Sequence, residues 1–290
     1  MVDQGGAGLM SDGQIAFAQQ SRVSLAQAAA DWVFDLFGVR ITDVTRPRAV
    51  ELISGLLGEP AGGARRVYFV NAHTLNLAVE DPEYRTVLNA ADYVFGDGTG
   101  VRWAARMRGI RVRDNVNGTD LVPELLDATA AWGLRCFLLG AEPHIAQRAA
   151  WWAAARFSGW RFVGWHHGFL DAELNRQVIA QINRQRPHLL LVAQGNPLQE
   201  RWIHRHAAEL EVAVAMGVGG LLNFWSGAVP RAPHWMRQWG IEWVWVLLHQ
   251  RHKARRYLVG NPKFLARALA DAWRHRRLES ESADSAWPGK

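Results

Sequence analysis

Six short runs of β-branched and aromatic residues recur along the chain, at Val67 to Val70, Tyr93 to Phe95, Cys136 to Leu139, Arg161 to Trp165, Leu189 to Ala193 and Val212 to Met216. Each is followed by a turn holding glycine or asparagine and then by a helical pattern. Parallel strands need a crossover, usually a helix, so this rhythm predicts an α/β fold: a Rossmann-like parallel sheet flanked by helices. The helices are predicted at Pro47 to Leu57, Thr74 to Ala90 with an interruption at Pro82, Thr99 to Met107, Thr119 to Trp132, Pro143 to Phe157, Ala172 to Arg186 and Pro197 to Ala208.

The rhythm stops at both ends. Residues 1–30 are rich in Gly, Ala, Gln and Ser and read as a flexible tail, with one helix expected near Leu25 to Phe37. The core is expected over 31–230. Beyond it a helical, tryptophan-rich appendage over 231–278 is predicted, broken near Gly260, Asn261 and Pro262, and then a disordered tail over 279–290. With 49% hydrophobic and 21% charged residues the chain can bury a large core. Its lone cysteine, Cys136, lies in RCFLLG and reads as a buried thiol. The sequence lacks a basic and apolar leader and a run of about 18 apolar residues, so a cytoplasmic location is expected.

Charge is placed unevenly. The net formal charge is +6, yet Arg231 to Arg277 alone holds eleven Lys or Arg against two acids. Five of the fifteen tryptophans, Trp235, Trp239, Trp243, Trp245 and Trp273, lie in the same segment. A solvated face is the usual fate of such charge, but cations interleaved with amphipathic aromatics favour a membrane surface.

Loops leaving the carboxyl ends of parallel strands gather on one edge, where ligands bind. Here they are VNAHTLN, GDGTG, LGAEP, GWHHGF, AQGNPLQE and MGVGG. In GDGTG, Gly96, Gly98 and Gly100 allow close backbone approach, so helix-start amides can face a phosphate. Asp97 would repel a diphosphate and reads as a base near a sugar or as a helix cap. VNAHTLN offers Asn71, His73, Thr74 and Asn76 to read hydroxyls, although Thr74 also fits an N-cap and His73 a structural role. AQGNPLQE brings Asn196 and Gln199 to a helix start, with Glu200 favoured there by the helix dipole. His166 and His167 point to opposite sides of an extended chain without further ligands, so no metal site is expected.

In this order and spacing, VNAHTLN, FGDGTGV, VNGTDL, LLGAEP, GWHHGF, AQGNPLQE, GVGG and GAVPRAPHWMRQWGIEW followed by ARRY resemble the WecG/TagA/CpsF glycosyltransferases from about Asp35 to Ala268. The resemblance implies an inverting transfer from a UDP-sugar to an undecaprenyl-diphosphate-linked sugar in surface polysaccharide or exopolysaccharide synthesis; no cofactor is expected. It implies Asp97 as the catalytic base and Thr74, Asn76 and Gln199 as pocket residues. Asn71, Gly98, Thr99, Asn117, Asp120, Asn196 and Gly219, in the same motifs, join them as substrate-binding candidates. Arg231, Lys253, Arg255 and Arg256 are the candidates for steadying the diphosphate and the lipid, with the appendage at the inner face of the membrane. Homo-oligomerisation is left open. The chain departs from the family's pattern at Asn115, Val246, Gln250, Arg251 and Lys253.

Two other classes compete. A non-catalytic basic adaptor binding membrane or nucleic acid would use residues 231–277 but leave the polar loops without purpose, so no nucleic-acid partner is expected. An oxidoreductase is disfavoured because GDGTG lacks the G-x-G-x-x-G spacing.

Overall fold

The computed structural model describes residues 32–58, 63–233, 235–236, 242–249 and 258–285. The sheet has eight strands: β1 (Val33–Leu36), β2 (Val39–Thr42), β3 (Arg65–Val70), β4 (Tyr93–Gly96), β5 (Arg135–Gly140), β6 (Arg161–His166), β7 (Leu189–Ala193) and β8 (Val214–Gly217). Their order is β1-β2-β4-β3-β8-β7-β5-β6. Only β1 runs antiparallel to its neighbour; the other pairs are parallel. All six strands expected from the sequence are present.

The described part of the helix expected near Leu25 to Phe37 is instead the β1–β2 hairpin. Its turn residues, Phe37 at φ 57° and Gly38 at φ 80°, both take positive φ. That is the turn whose twist matches a two-stranded ribbon. Asp35 steadies it by accepting the Gly38 amide at 3.0 Å. Phenylalanine is a poor signal for such a turn, which is why the hairpin is hard to read.

Central strands are buried on both faces, and alternate side chains divide between two cores. Cys136 and Leu138 of β5 and Leu189 and Leu191 of β7 join α1 (Arg46–Leu57), α5 (Gly118–Ala128), α6 (Pro143–Arg156) and α9 (Leu221–Trp225). Phe137, Leu139, Leu190 and Val192 join the opposite layer. It holds α2 (Ala72–Glu80), α3 (Pro82–Asn89), α4 (Thr99–Met107), α7 (Ala172–Gln185), α8 (Leu198–His206) and α11 (Gly260–Ser285). A short helix α10 (Glu242–His249) precedes α11. Among the described residues no helix is long and apolar enough to cross a membrane.

The break expected at Gly260, Asn261 and Pro262 is the start of α11, where proline fits because first-turn amides need no helical partner. This helix lies on α2 and α4, burying Phe264, Ala268 and Ala272. Lys263 and Arg267 both reach Glu80, at 2.7 and 2.8 Å, and hold its carboxyl below the usual range. Part of the appendage's basic charge therefore docks the helix onto the core.

Gly140 closes β5 at φ 137°, and a Cβ there would lie 2.4 Å from the Ala193 carbonyl carbon and oxygen. Neither backbone can move without breaking the β5–β7 ladder. Gly140→Ala is expected to lower the melting temperature by about 10 °C or more, or to prevent soluble expression. A thermal melt within about 2 °C of wild type would contradict this packing.

Candidate active site

Strand register brings the two richest loops together. Val70 and Gly96 pair at the carboxyl ends of β3 and β4, and the Asp97 amide donates to the Val70 carbonyl at 2.8 Å. Asp97 and Asn71 thus leave adjacent strand ends, and both are half-buried. The N-cap of α4 is Gly98, which carries no side chain to cap the helix, and Asp97 precedes it by one residue. The Gly98 amide, expected to face a phosphate, instead donates to Asn115 Oδ1 at 2.6 Å. Asn115 is therefore a brace for the Asp97 loop. Thr99, half-buried, begins α4.

Gly98 sits at φ 93°, ψ 167°, a region essentially closed to other residues, with nothing within 4 Å of its hypothetical Cβ. Strain alone, about 1–3 kcal/mol, would then act in Gly98→Ala. The expected result is a folded protein with at least about tenfold lower turnover, because relaxing the backbone swings Asp97, the base that the family resemblance implies. Steady-state kinetics with a parallel thermal melt would check this.

On the β3 side Asn71, rather than Thr74, caps the helix. Its Oδ1 accepts the His73 amide at 3.0 Å and the Thr74 amide at 3.3 Å, and Thr74 Oγ1 accepts the Asn71 amide at 2.6 Å. This reciprocal capping box buries Thr74 completely. Asn76 is also buried: its Nδ2 donates to the Gly260 carbonyl at 2.8 Å and its Oδ1 accepts from Arg267 at 2.9 Å. The Thr74 side chain shapes the loop, and the Asn76 side chain fastens α11 to it. Asn71 is the member of the cluster at the strand end itself.

The third constellation links the loops after β7 and β8. Gln199 Oε1 accepts the Gly219 amide at 2.9 Å, while Gln199 Nε2 and Asn196 Nδ2 both donate to Glu200 Oε1 at 2.6 Å. The Tyr84 hydroxyl donates to Glu200 Oε2 at 3.1 Å, and the Tyr68 hydroxyl to the Glu200 carbonyl at 3.2 Å. Gln199 is 1% exposed and Glu200 not at all, whereas Asn196 and Gly219 are half-buried at the edge. Glu200 stands in the first turn of α8, as its sequence position implies. Only partners from β3 and α3, far away in sequence, show it to be the hub.

Burial pushes the Glu200 carboxyl from an ordinary 4.5 up to about 7, against the lowering effect of the hydrogen bonds from Gln199, Asn196 and Tyr84. Its folded value exceeds its unfolded one, so the folded state holds the extra proton between them, and this contribution is lost as pH rises through about 7. The melting temperature of wild type relative to Glu200→Gln is therefore expected to fall between about pH 5 and about pH 8. Parallel melting curves would measure it; a constant difference would place the carboxyl at its ordinary value.

A fourth cluster flanks these loops. Asn117 caps α5 by accepting the Asp120 amide at 2.9 Å, and its Nδ2 donates to Asp120 Oδ2 at 2.8 Å. Arg231 pairs with Asp120 and reaches the Thr119 carbonyl at 3.4 Å; Arg46 lies 3.9 Å from the same carboxylate. The structure thus joins candidates that the sequence keeps 111 residues apart. Arg231 reaches the core already paired with an acid. Lys253, Arg255 and Arg256 lie outside the described residues.

The His166 and His167 rings lie side by side, tilted at 48° with centroids 4.3 Å apart, and burial followed by the neighbouring His166 pulls the His167 imidazole down. Among the described residues no group of three His, Cys, Asp or Glu is arranged to hold a metal.

A half-buried carboxylate at the carboxyl edge of a parallel sheet, among amide side chains and glycine turns, is a site for a polar ligand. The chain belongs to the glycosyl transferase WecG/TagA/CpsF family, whose profile matches residues 34–278, and it is a glycosyltransferase. The matched span runs from β1 through the appendage and covers all the candidate residues. Similar proteins include the N-acetylglucosaminyldiphosphoundecaprenol N-acetyl-beta-D-mannosaminyltransferases of Staphylococcus aureus strains NCTC 8325 / PS 47, COL and MRSA252. Each is 31% identical over 211 residues, spanning 73% of this chain and 82% of the relative.

Proposed function

We propose that the chain transfers a hexose or N-acetylhexosamine, with inversion, from a UDP-sugar to a sugar on undecaprenyl diphosphate, with Asp97 as general base. The observation that carries this reading is the placement of Asp97: half-buried at the end of β4, its amide held by Val70 beside the Asn71 loop. An inverting transfer needs one carboxylate on the acceptor side. Asp97 takes the proton from the acceptor hydroxyl, the oxygen attacks the anomeric carbon, and the bond to the diphosphate breaks with its electron pair leaving on UDP. Charge grows on the departing oxygens, and cations in the appendage stabilise it.

Arg231 is one such cation; its pairing with Asp120 orients it while the carboxylate offsets part of its field. Lys253, Arg255 and Arg256 are assigned the same role through the family resemblance. The acceptor class is supported by the relatives, whose name specifies a diphosphoundecaprenol-linked N-acetylglucosamine. Surface polysaccharide synthesis follows from such an acceptor.

The appendage is the surface that meets the inner face of the membrane. Flanking the buried stripe of α11, one residue further along at each turn, Leu265, Leu269 and Trp273 recur every four residues and are exposed, beside Arg274 and Arg277. The Arg277 guanidinium lies 5.7 Å from the Trp273 ring centroid. Such a face suits an interfacial helix. The reading is tested by incubating the protein with a panel of UDP-sugars and lipid-diphosphate acceptors. UDP release requiring both substrates supports it; no release with any pair would overturn it.

A further inference from the structure

Resting on the transferase reading, we propose that Glu200 is a positioning residue: its Oε1, shared by the Asn196 and Gln199 amides, turns the Asn196 carbonyl oxygen to the donor. There that oxygen accepts a hydrogen from a hydroxyl or imide group of the nucleotide-sugar.

The argument begins with what a carboxyl oxygen can do. Oε1 accepts hydrogen bonds, so the two amides it meets at 2.6 Å must present their nitrogens. Each amide oxygen then points away from Glu200. Gln199 is fully buried and spends its oxygen on the Gly219 amide, tying the β7 loop to the β8 loop. Asn196 is half-buried at the sheet edge, so its oxygen is the one the cluster directs outward. Glu200 is wholly buried and touches no substrate; it acts through Asn196.

Anchoring of the hub supports the same role. The Tyr84 hydroxyl on α3 holds Oε2 and the Tyr68 hydroxyl on β3 holds the Glu200 carbonyl, so the carboxyl has one orientation. A tyrosine hydroxyl both donates and accepts. It can therefore face a neutral acid or an amide nitrogen at the Oε2 position, leaving the acceptor at Oε1 unchanged. Glutamine should then replace glutamate, and methionine, of similar shape without an acceptor, should not.

Equilibrium binding of UDP and of UDP-N-acetylglucosamine to the full chain tests this, with a thermal melt of each variant. Loss of one oriented hydrogen bond should make Asn196→Ala and Glu200→Met each bind about tenfold more weakly. Glu200→Gln should restore affinity to within about threefold of wild type. Because Glu200 acts through Asn196, the double variant with Asn196→Ala and Glu200→Met should bind no more weakly than Asn196→Ala alone. A deficit with UDP places the contact on the nucleoside and one confined to the UDP-sugar places it on the sugar; both support the proposal.

Asn196→Ala binding like wild type overturns the proposal, as does a folded Glu200→Gln that binds as poorly as Glu200→Met, or full additivity in the double variant. Should Glu200→Met fail to fold, the Asn196→Ala and Glu200→Gln results decide alone. A wild-type protein that binds neither probe overturns the transferase reading itself, whereas wild-type binding with unaffected variants overturns only this inference.

Discussion

Asp97→Asn is expected to lower turnover by about a thousandfold while UDP-sugar affinity and melting temperature stay near wild type. Asparagine has the size of aspartate but cannot accept a proton at neutral pH, so the acceptor hydroxyl must attack without a base. Positioned bases contribute about a hundred- to ten-thousandfold, and a thousandfold loss is the middle of that range. The fold should survive because the loop is set by backbone bonds: Asp97 amide to Val70, Gly98 amide to Asn115 and Val116 amide to the Gly96 carbonyl. Release of UDP from donor and lipid acceptor is the measurement. Turnover within a few-fold of wild type would remove Asp97 from the chemistry.

A triple exchange of Leu265, Leu269 and Trp273 for glutamate is expected to weaken binding to anionic vesicles by about a hundredfold or more. Full burial of each large apolar side chain is worth about 1.5–3 kcal/mol, and even partial insertion of three exceeds the roughly 2.7 kcal/mol that a hundredfold requires. New negative charge adds repulsion from the anionic surface. The stripe is exposed by 43%, 56% and 63%, so the exchange leaves the docking side, Phe264, Ala268 and Ala272, in place. Vesicle sedimentation with a parallel melt measures it. A normally folded triple variant that still sediments would move the membrane contact elsewhere.

Strand positions were legible because a buried parallel strand must be a short apolar run and the turn after it needs glycine or asparagine. The β1–β2 hairpin was hidden because its turn is Phe37-Gly38, and the bend depends on positive φ at a residue that seldom adopts it. Asp97 and Asn71 were legible as neighbours only in outline: both follow strands, but their adjacency needs β3 to lie beside β4. Glu200 was legible only in part. On sequence it is a first-turn acid; in the fold Tyr84, Asn196 and Gln199 close around it.

The α/β class, the edge on which the polar loops gather, the residue types brought there and the family are all legible in the order of residues along the chain. Local periodicity carries the first of these, and the common direction of parallel strands carries the second. Tertiary structure alone decided which polar atoms are committed. Asn76 is held by Gly260 and Arg267, nearly two hundred positions away, Thr74 is folded into a cap, and Arg231 is matched to Asp120. The reason is physical: a hydrogen bond is satisfied by whatever lies within about 3 Å, and chain order says little about which distant element that will be.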